Sequence, residues 1–107
     1  MTKEQVQSGA FMMIANAGSA FDHFYRAIGK AREGRYDDAD EEMKLGVEDL
    51  QKAHDSQTEL MAAEMSQEDI PFSILMVHAQ DHLNMALFTQ RMAKEFIMLY
   101  KEVHKDA

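Results

Sequence analysis

Apolar side chains recur every three or four residues along almost the whole of this chain, and only two short stretches interrupt the pattern. One is Glu33-Gly34; the other is the polar run from Ser66 to Pro71. A repeat of that period sets one face of an α-helix against a core. The chain holds one Pro, five Gly and ten Met, with β-branched residues only in short patches, which favours helix over strand. The expected fold is all-α: one domain over residues 1–107, built as an antiparallel three-helix bundle.

The first helix is expected from about Thr2 to Arg32. Thr2 and Gln5 can form a capping box, and Glu33-Gly34 is a natural stop. Its apolar face reads Val6, Ala10, Met13, Ala17, Phe21, Phe24, Ile28, and the small residues from Ala15 to Ala20 suit a close helix crossing. The second is expected from about Tyr36 to Met65, with a heptad-like seam of Met43, Val47, Leu50, His54, Gln57 and Met61. Asp37, Asp38, Asp40, Glu41 and Glu42 crowd its first turns, where negative charge meets the positive end of the helix dipole, and they read as a solvated helix start.

The third helix is expected from about Pro71 to Val103, capped by Ser66 or Asp69 with Pro71 in the first turn. It carries two apolar stripes. Leu75, His78, His82, Met85, Thr89, Met92, Phe96, Leu99 and Val103 form the one read as innermost; Met76, Ala79, Leu83, Ala86, Gln90, Ala93, Ile97 and Tyr100 lie beside it. A three-helix bundle buries about one face per helix, so the surplus predicts self-association through this helix.

Charge and targeting signals exclude several classes. The net charge is −8, and the Lys and Arg clusters that hold phosphate backbones are absent, so no nucleic-acid partner is expected. The start MTKEQVQSG lacks the features of a signal peptide. Polar residues interrupt the most apolar stretch, Ile70 to Leu87, so no membrane insertion is expected. There is no cysteine, hence no disulfide or thiolate chemistry. A soluble, cytoplasmic protein is expected.

Within the third helix, Val77-His78-Ala79-Gln80-Asp81-His82-Leu83 puts two imidazoles one turn apart with a carboxylate between them. Polar groups on an otherwise apolar stripe cost free energy unless they are paired or used, which marks the segment as a candidate site. A His-x-x-x-His pair is half of a zinc site, but the hydrolytic version needs Glu directly after the first His, where this chain has Ala79. The other chemistry open to it is nucleophilic. A neutral imidazole presents a lone pair on one nitrogen and can attack phosphorus, giving a phosphoimidazole carrier.

The heptapeptide resembles the signature of the IIA component of the lactose/cellobiose (also chitobiose) branch of the bacterial sugar phosphotransferase system. Ala17-Gly18-Ser19-Ala20, Ala31-Arg32-Glu33-Gly34, the run Ala53-His54-Asp55-Ser56-Gln57-Thr58-Glu59-Leu60, and Lys94-Glu95-Phe96-Ile97 with Leu99-Tyr100 resemble family patterns in the same order. The resemblance implies a nine-helix homotrimer of three-helix subunits. It implies that His78 accepts a phosphoryl group, as tele-phosphohistidine, from the carrier protein HPr and passes it to a cysteine of the cognate IIB component. A membrane IIC component then completes uptake of a disaccharide such as cellobiose, lactose or chitobiose. It further implies that Asp81 of each subunit meets the others at the trimer axis around one divalent cation, expected to be Mg²⁺, and that Gln80 and His82 support the phosphoryl group. Asn84 departs from the family, which usually has an apolar Met there.

Two other classes fit parts of the pattern. A histidine phosphotransfer domain of two-component signalling would carry a basic residue and a Gly just after the histidine, where this chain has Ala79-Gln80-Asp81. A metal-binding helical bundle would use His78 and His82, with His54 or His23.

Overall fold

The computed structural model describes residues 1–105, and in them three long helices run up, down and up. Helix α1 spans Lys3–Arg32, α2 spans Tyr36–Met65 and α3 spans Ile74–His104. The elongated bundle measures 59 × 19 × 19 Å. Helix α1 packs along both neighbours, whereas α2 and α3 meet each other only sparsely.

The helix ends follow local chemistry. The Thr2 hydroxyl accepts from the Gln5 backbone N–H while the Gln5 side chain accepts from the Thr2 N–H, which completes the expected capping box. At the other end of α1, Gly34 adopts φ +79°; the Arg35 N–H reaches the Lys30 carbonyl and the Gly34 N–H that of Ala31. The end of α2 repeats this closure with Gln67 at φ +62°, its neighbour Glu68 donating to Ala63 and Gln67 itself donating to Glu64. Helix α3 begins later than its expected start at Pro71. Ser73, not Ser66 or Asp69, is the cap: its backbone is extended and its hydroxyl accepts from the Met76 N–H. Pro71 lies in the irregular connection before it.

The interior is built largely of alanine. Ala10, Ala17, Ala20, Ala27 and Ala31 of α1, Ala39 and Ala53 of α2, and Ala79, Ala86 and Ala93 of α3 are all fully buried, among Val6, Met13, Phe24 and Leu83. Small side chains bring the helix axes close, and the few large ones fill what remains. On α2 this corrects the expected seam. Its inward face is Ala39, Gly46, Leu50 and Ala53, so Val47, His54 and Met61 turn outward. The tightest approach is at Gly46, where an added Cβ would stand 2.5 Å from the Phe24 ring, while one at Gly18 would meet nothing within 4 Å. The close crossing therefore involves Ala17 and Ala20 of α1 but not Gly18.

On α3 the order of the two stripes is reversed. Met76, Ala79, Leu83, Ala86, Ala93 and Ile97 face the interior, and the stripe expected to be innermost is outside. Met85, Leu99 and Val103 are more than half exposed, and Met92 and Phe96 are exposed beside them. At the far end, the Tyr36 hydroxyl bonds the Tyr100 carbonyl at 3.1 Å and His104 Nδ1 at 2.5 Å, which ties the end of α3 to the start of α2.

Candidate functional site

Helix α3 carries His78, Asp81 and His82 on its outer side, within its first three turns. Positions 78 and 82 are one turn apart, and their side chains meet as that spacing requires. His82 Nε2 lies 3.0 Å from His78 Nε2, with the rings nearly perpendicular (87°) and their centroids 4.6 Å apart. His78 is exposed and His82 half-buried. Such a pair offers one accessible ring nitrogen with a second imidazole fixed beside it, which suits attack on an incoming electrophile.

Asp81 is exposed and makes no ion pair among the described residues. No cluster of three or more His, Cys, Asp or Glu side chains able to hold a metal occurs among those residues. His54 is exposed on α2, beside Val47 and Leu87, and His23 is bound to carboxylates of α2. The four histidines proposed for a metal-binding bundle are thus not gathered into one site.

Gln80 is placed elsewhere than expected. Two residues from His78, it does not share that face. Its carbonyl oxygen accepts from Gln57 Nε2 at 2.6 Å, and its own amide points to the sulfurs of Met76 and Met13. Gln80 therefore braces α3 against α2 and α1, in a half-buried position away from the two imidazoles. A groove of about 430 Å³ between the C-terminal part of α2 and the start of α3 is lined by Gln80, Val77, Met61 and Phe72 but not by His78. The His78 ring stands outside it, on open surface.

A second polar group joins α1 to α2. His23 Nδ1 lies 2.7 Å from Glu42, its Nε2 lies 3.6 Å from Asp49, Arg26 reaches Glu42 at 3.5 Å, and the Ser19 hydroxyl donates to Asp49. Burial pushes the Glu42 carboxyl up, but the hydrogen bond from His23 and the charges of Arg26 and His23 outweigh it, leaving the group below its ordinary range. Sequence reasoning placed Glu42 with the solvated acidic start of α2 and did not detect this network. The available signal was its spacing: Ala39, Glu42 and Gly46 lie at helical steps, which puts Glu42 beside the inward face.

Comparison with known proteins agrees with this arrangement. A family model described as PTS system, Lactose/Cellobiose specific IIA subunit, matches residues 8–101. The lactose-specific EIIA component of Staphylococcus epidermidis is 36% identical over 102 residues, covering 95% of this chain and 98% of the relative. The lichenan-specific phosphotransferase enzyme IIA component of Bacillus subtilis is 36% identical over 100 residues, covering 94% and 91%. The crystal structure of the cellobiose-specific enzyme IIA from Bacillus anthracis superposes with a TM-score of 0.92 at 36% identity, over 100% of this chain and 96% of that one. The chain belongs to the lactose/cellobiose-specific IIA subunits of the sugar phosphotransferase system and is a phosphotransfer component of that system.

Proposed function

We propose that this chain takes a phosphoryl group from HPr on Nε2 of His78 and delivers it to the cysteine of a cognate IIB component, during cytoplasmic phosphorylation of an entering disaccharide such as cellobiose, lactose or chitobiose. The supporting observation is the exposed His78 ring, with Nε2 beside His82, on a chain of this family. In the first step the His78 Nε2 lone pair forms a bond to phosphorus. The donor's N–P bond breaks, and its electron pair stays with the donor nitrogen. In the second, the IIB thiolate attacks phosphorus and the His78–phosphorus electron pair returns to Nε2. His82 supports the group at His78, and Gln80 acts at one remove by fixing the position of α3.

The working form in this proposal is a homotrimer, nine helices in all. Its support is the exposed outer stripe of α3, where Met85, Met92, Phe96, Leu99 and Val103 continue the line of His78 and His82. A contiguous apolar stripe of this extent is what a subunit interface covers. Asp81 of three subunits would then converge on the axis. Carboxylate oxygens suit a hard cation such as Mg²⁺, one per trimer, which would neutralise their mutual repulsion when bound. Asn84, exposed on the same helix, adds a polar group near that contact.

The test is reconstitution. The purified chain should gain acid-labile phosphate from phosphorylated HPr and lose it when IIB is added, but not when IIB lacks its cysteine. Failure to take up phosphate from HPr contradicts the proposal.

A further inference from the structure

We propose that the His78–His82 pair chelates a divalent transition-metal ion through both Nε2 atoms, Cu²⁺ in preference to Zn²⁺, and that such an ion and a phosphoryl group exclude each other at His78. The second half rests on the phosphocarrier reading of His78; the first does not.

Two imidazoles four residues apart on a helix converge on one side of it. Here their Nε2 atoms stand 3.0 Å apart. An ion with metal–nitrogen bonds of about 2.0–2.1 Å would see nitrogens at that separation under an angle of roughly 91–97°. A tetrahedral ion wants about 109°, and with it a separation of about 3.3–3.4 Å. The pair therefore fits two adjacent corners of a square, the arrangement of Cu²⁺ and Ni²⁺, better than it fits Zn²⁺. Copper also stands highest in affinity among the first-row divalent ions. Two of the other histidines are already engaged, His23 with Glu42 and Asp49, and His104 with the Tyr36 hydroxyl.

The site is open to an ion. His78 is exposed, and neither ring lines the groove between α2 and α3, so water can fill the remaining positions on the metal. The rings now meet edge to face at 87°. Their hydrogen bond gives way, and each ring turns about its Cβ–Cγ bond until both lone pairs meet the ion. This ion differs from the axial cation of the proposed trimer. It takes nitrogen donors and one place per chain, whereas Mg²⁺ prefers oxygen and does not compete for imidazoles. A neutral imidazole has a single nitrogen lone pair to give. Once His78 Nε2 has given it to a metal it cannot bond to phosphorus, and once phosphorylated it cannot bind the metal.

The test titrates the full chain with Cu²⁺ in excess Mg²⁺, which fills any oxygen-lined site. Calorimetry and electron paramagnetic resonance should show one Cu²⁺ per chain, ligated by two imidazole nitrogens and held more tightly than Zn²⁺. His78→Ala and His82→Ala, both exchanges on the outer side of α3, should each weaken it by on the order of 100-fold, because the second bond is no longer intramolecular. His54→Ala should leave affinity and spectrum unchanged. Copper binding that survives both α3 exchanges, that is lost in His54→Ala, or that is weaker than zinc binding overturns the first half. For the second half, chain phosphorylated on His78 and freed of HPr should bind Cu²⁺ no better than His78→Ala does. Copper-loaded native chain should take no phosphate from HPr until a chelator removes the ion. A two-nitrogen copper site on the phosphorylated chain, or phosphate uptake undiminished by bound copper, overturns the exclusion. A metal-free native chain that takes no phosphate on His78 overturns the phosphocarrier reading and the exclusion together, while the chelate is decided by the titrations alone.

Discussion

The ring of Phe24 lies against Gly46, so close that a Cβ at position 46 would come within 2.9 Å of three ring carbons. Phe24 is fully buried, and its ring has no open side into which it can retreat. Gly46→Ala should therefore destabilise the chain by about 1–2 kcal/mol, the overpacking cost exceeding the gain in helix propensity. Gly18→Ala, with nothing within 4 Å, should instead raise stability by up to about 1 kcal/mol. Denaturant melts of the two variants check the contrast, which equal effects of the same sign would contradict.

The two helix ends closed by the same hydrogen bonds differ in one residue. Gly34 holds a left-handed backbone at no steric cost, whereas Gln67 holds it with a side chain. Gln67→Gly should stabilise the fold by about 0.5–1 kcal/mol, since the left-handed strain outweighs the added chain entropy of glycine. A lower melting temperature for Gln67→Gly would show that the Gln67 side chain contributes something the backbone geometry does not reveal.

Glu42 should make stability depend on pH in a definite direction. Its folded pKa is depressed, so its contribution is fully present above the ordinary glutamate value of roughly 4.3 and fades as pH falls through the lower folded value. Glu42→Gln should cost less than about 1 kcal/mol near neutral pH, given the partial exposure of the ion pair. Urea melts at several pH values should show that deficit closing toward pH 3. A deficit that does not change with pH contradicts the assignment.

Asp81 separates charge from packing. In the proposed trimer, Asp81→Leu removes the cation ligands and replaces three converging carboxylates with apolar contacts, so the trimer should persist or tighten while cation binding disappears. Sedimentation velocity and metal analysis of the same preparation read both outcomes. Monomeric Asp81→Leu would contradict the axial placement.

Helix number, order and most boundaries could be read from the sequence because they depend on local signals, such as the Thr2–Gln5 capping box and the stop at Gly34. What could not be read was which face turns inward. Hydrophobic periodicity weights bulky side chains, so it chose Val47 and Met61 on α2 and the line of Met85, Met92 and Phe96 on α3. The interior prefers Ala39, Ala53, Ala79, Ala86 and Ala93, because the closeness of α1 to its neighbours leaves room for little more. The start of α3 was missed for a related reason: Pro71 signals a first turn, but Ser73 carries the hydroxyl that caps it. The His78–His82 contact followed from spacing alone, while the turn of Gln80 toward Gln57 depends on a neighbour from another helix, which no local pattern contains.

The central claim is that His78 itself carries the phosphoryl group. The most direct measurement is to incubate native and His78→Ala protein with phosphorylated HPr, confirm that the two have the same oligomeric state, and map acid-labile phosphate by mass spectrometry under neutral conditions. The account predicts phosphate on the His78 peptide of the native chain and none anywhere on His78→Ala. Phosphate on His78→Ala at His82 or at any other residue would contradict it.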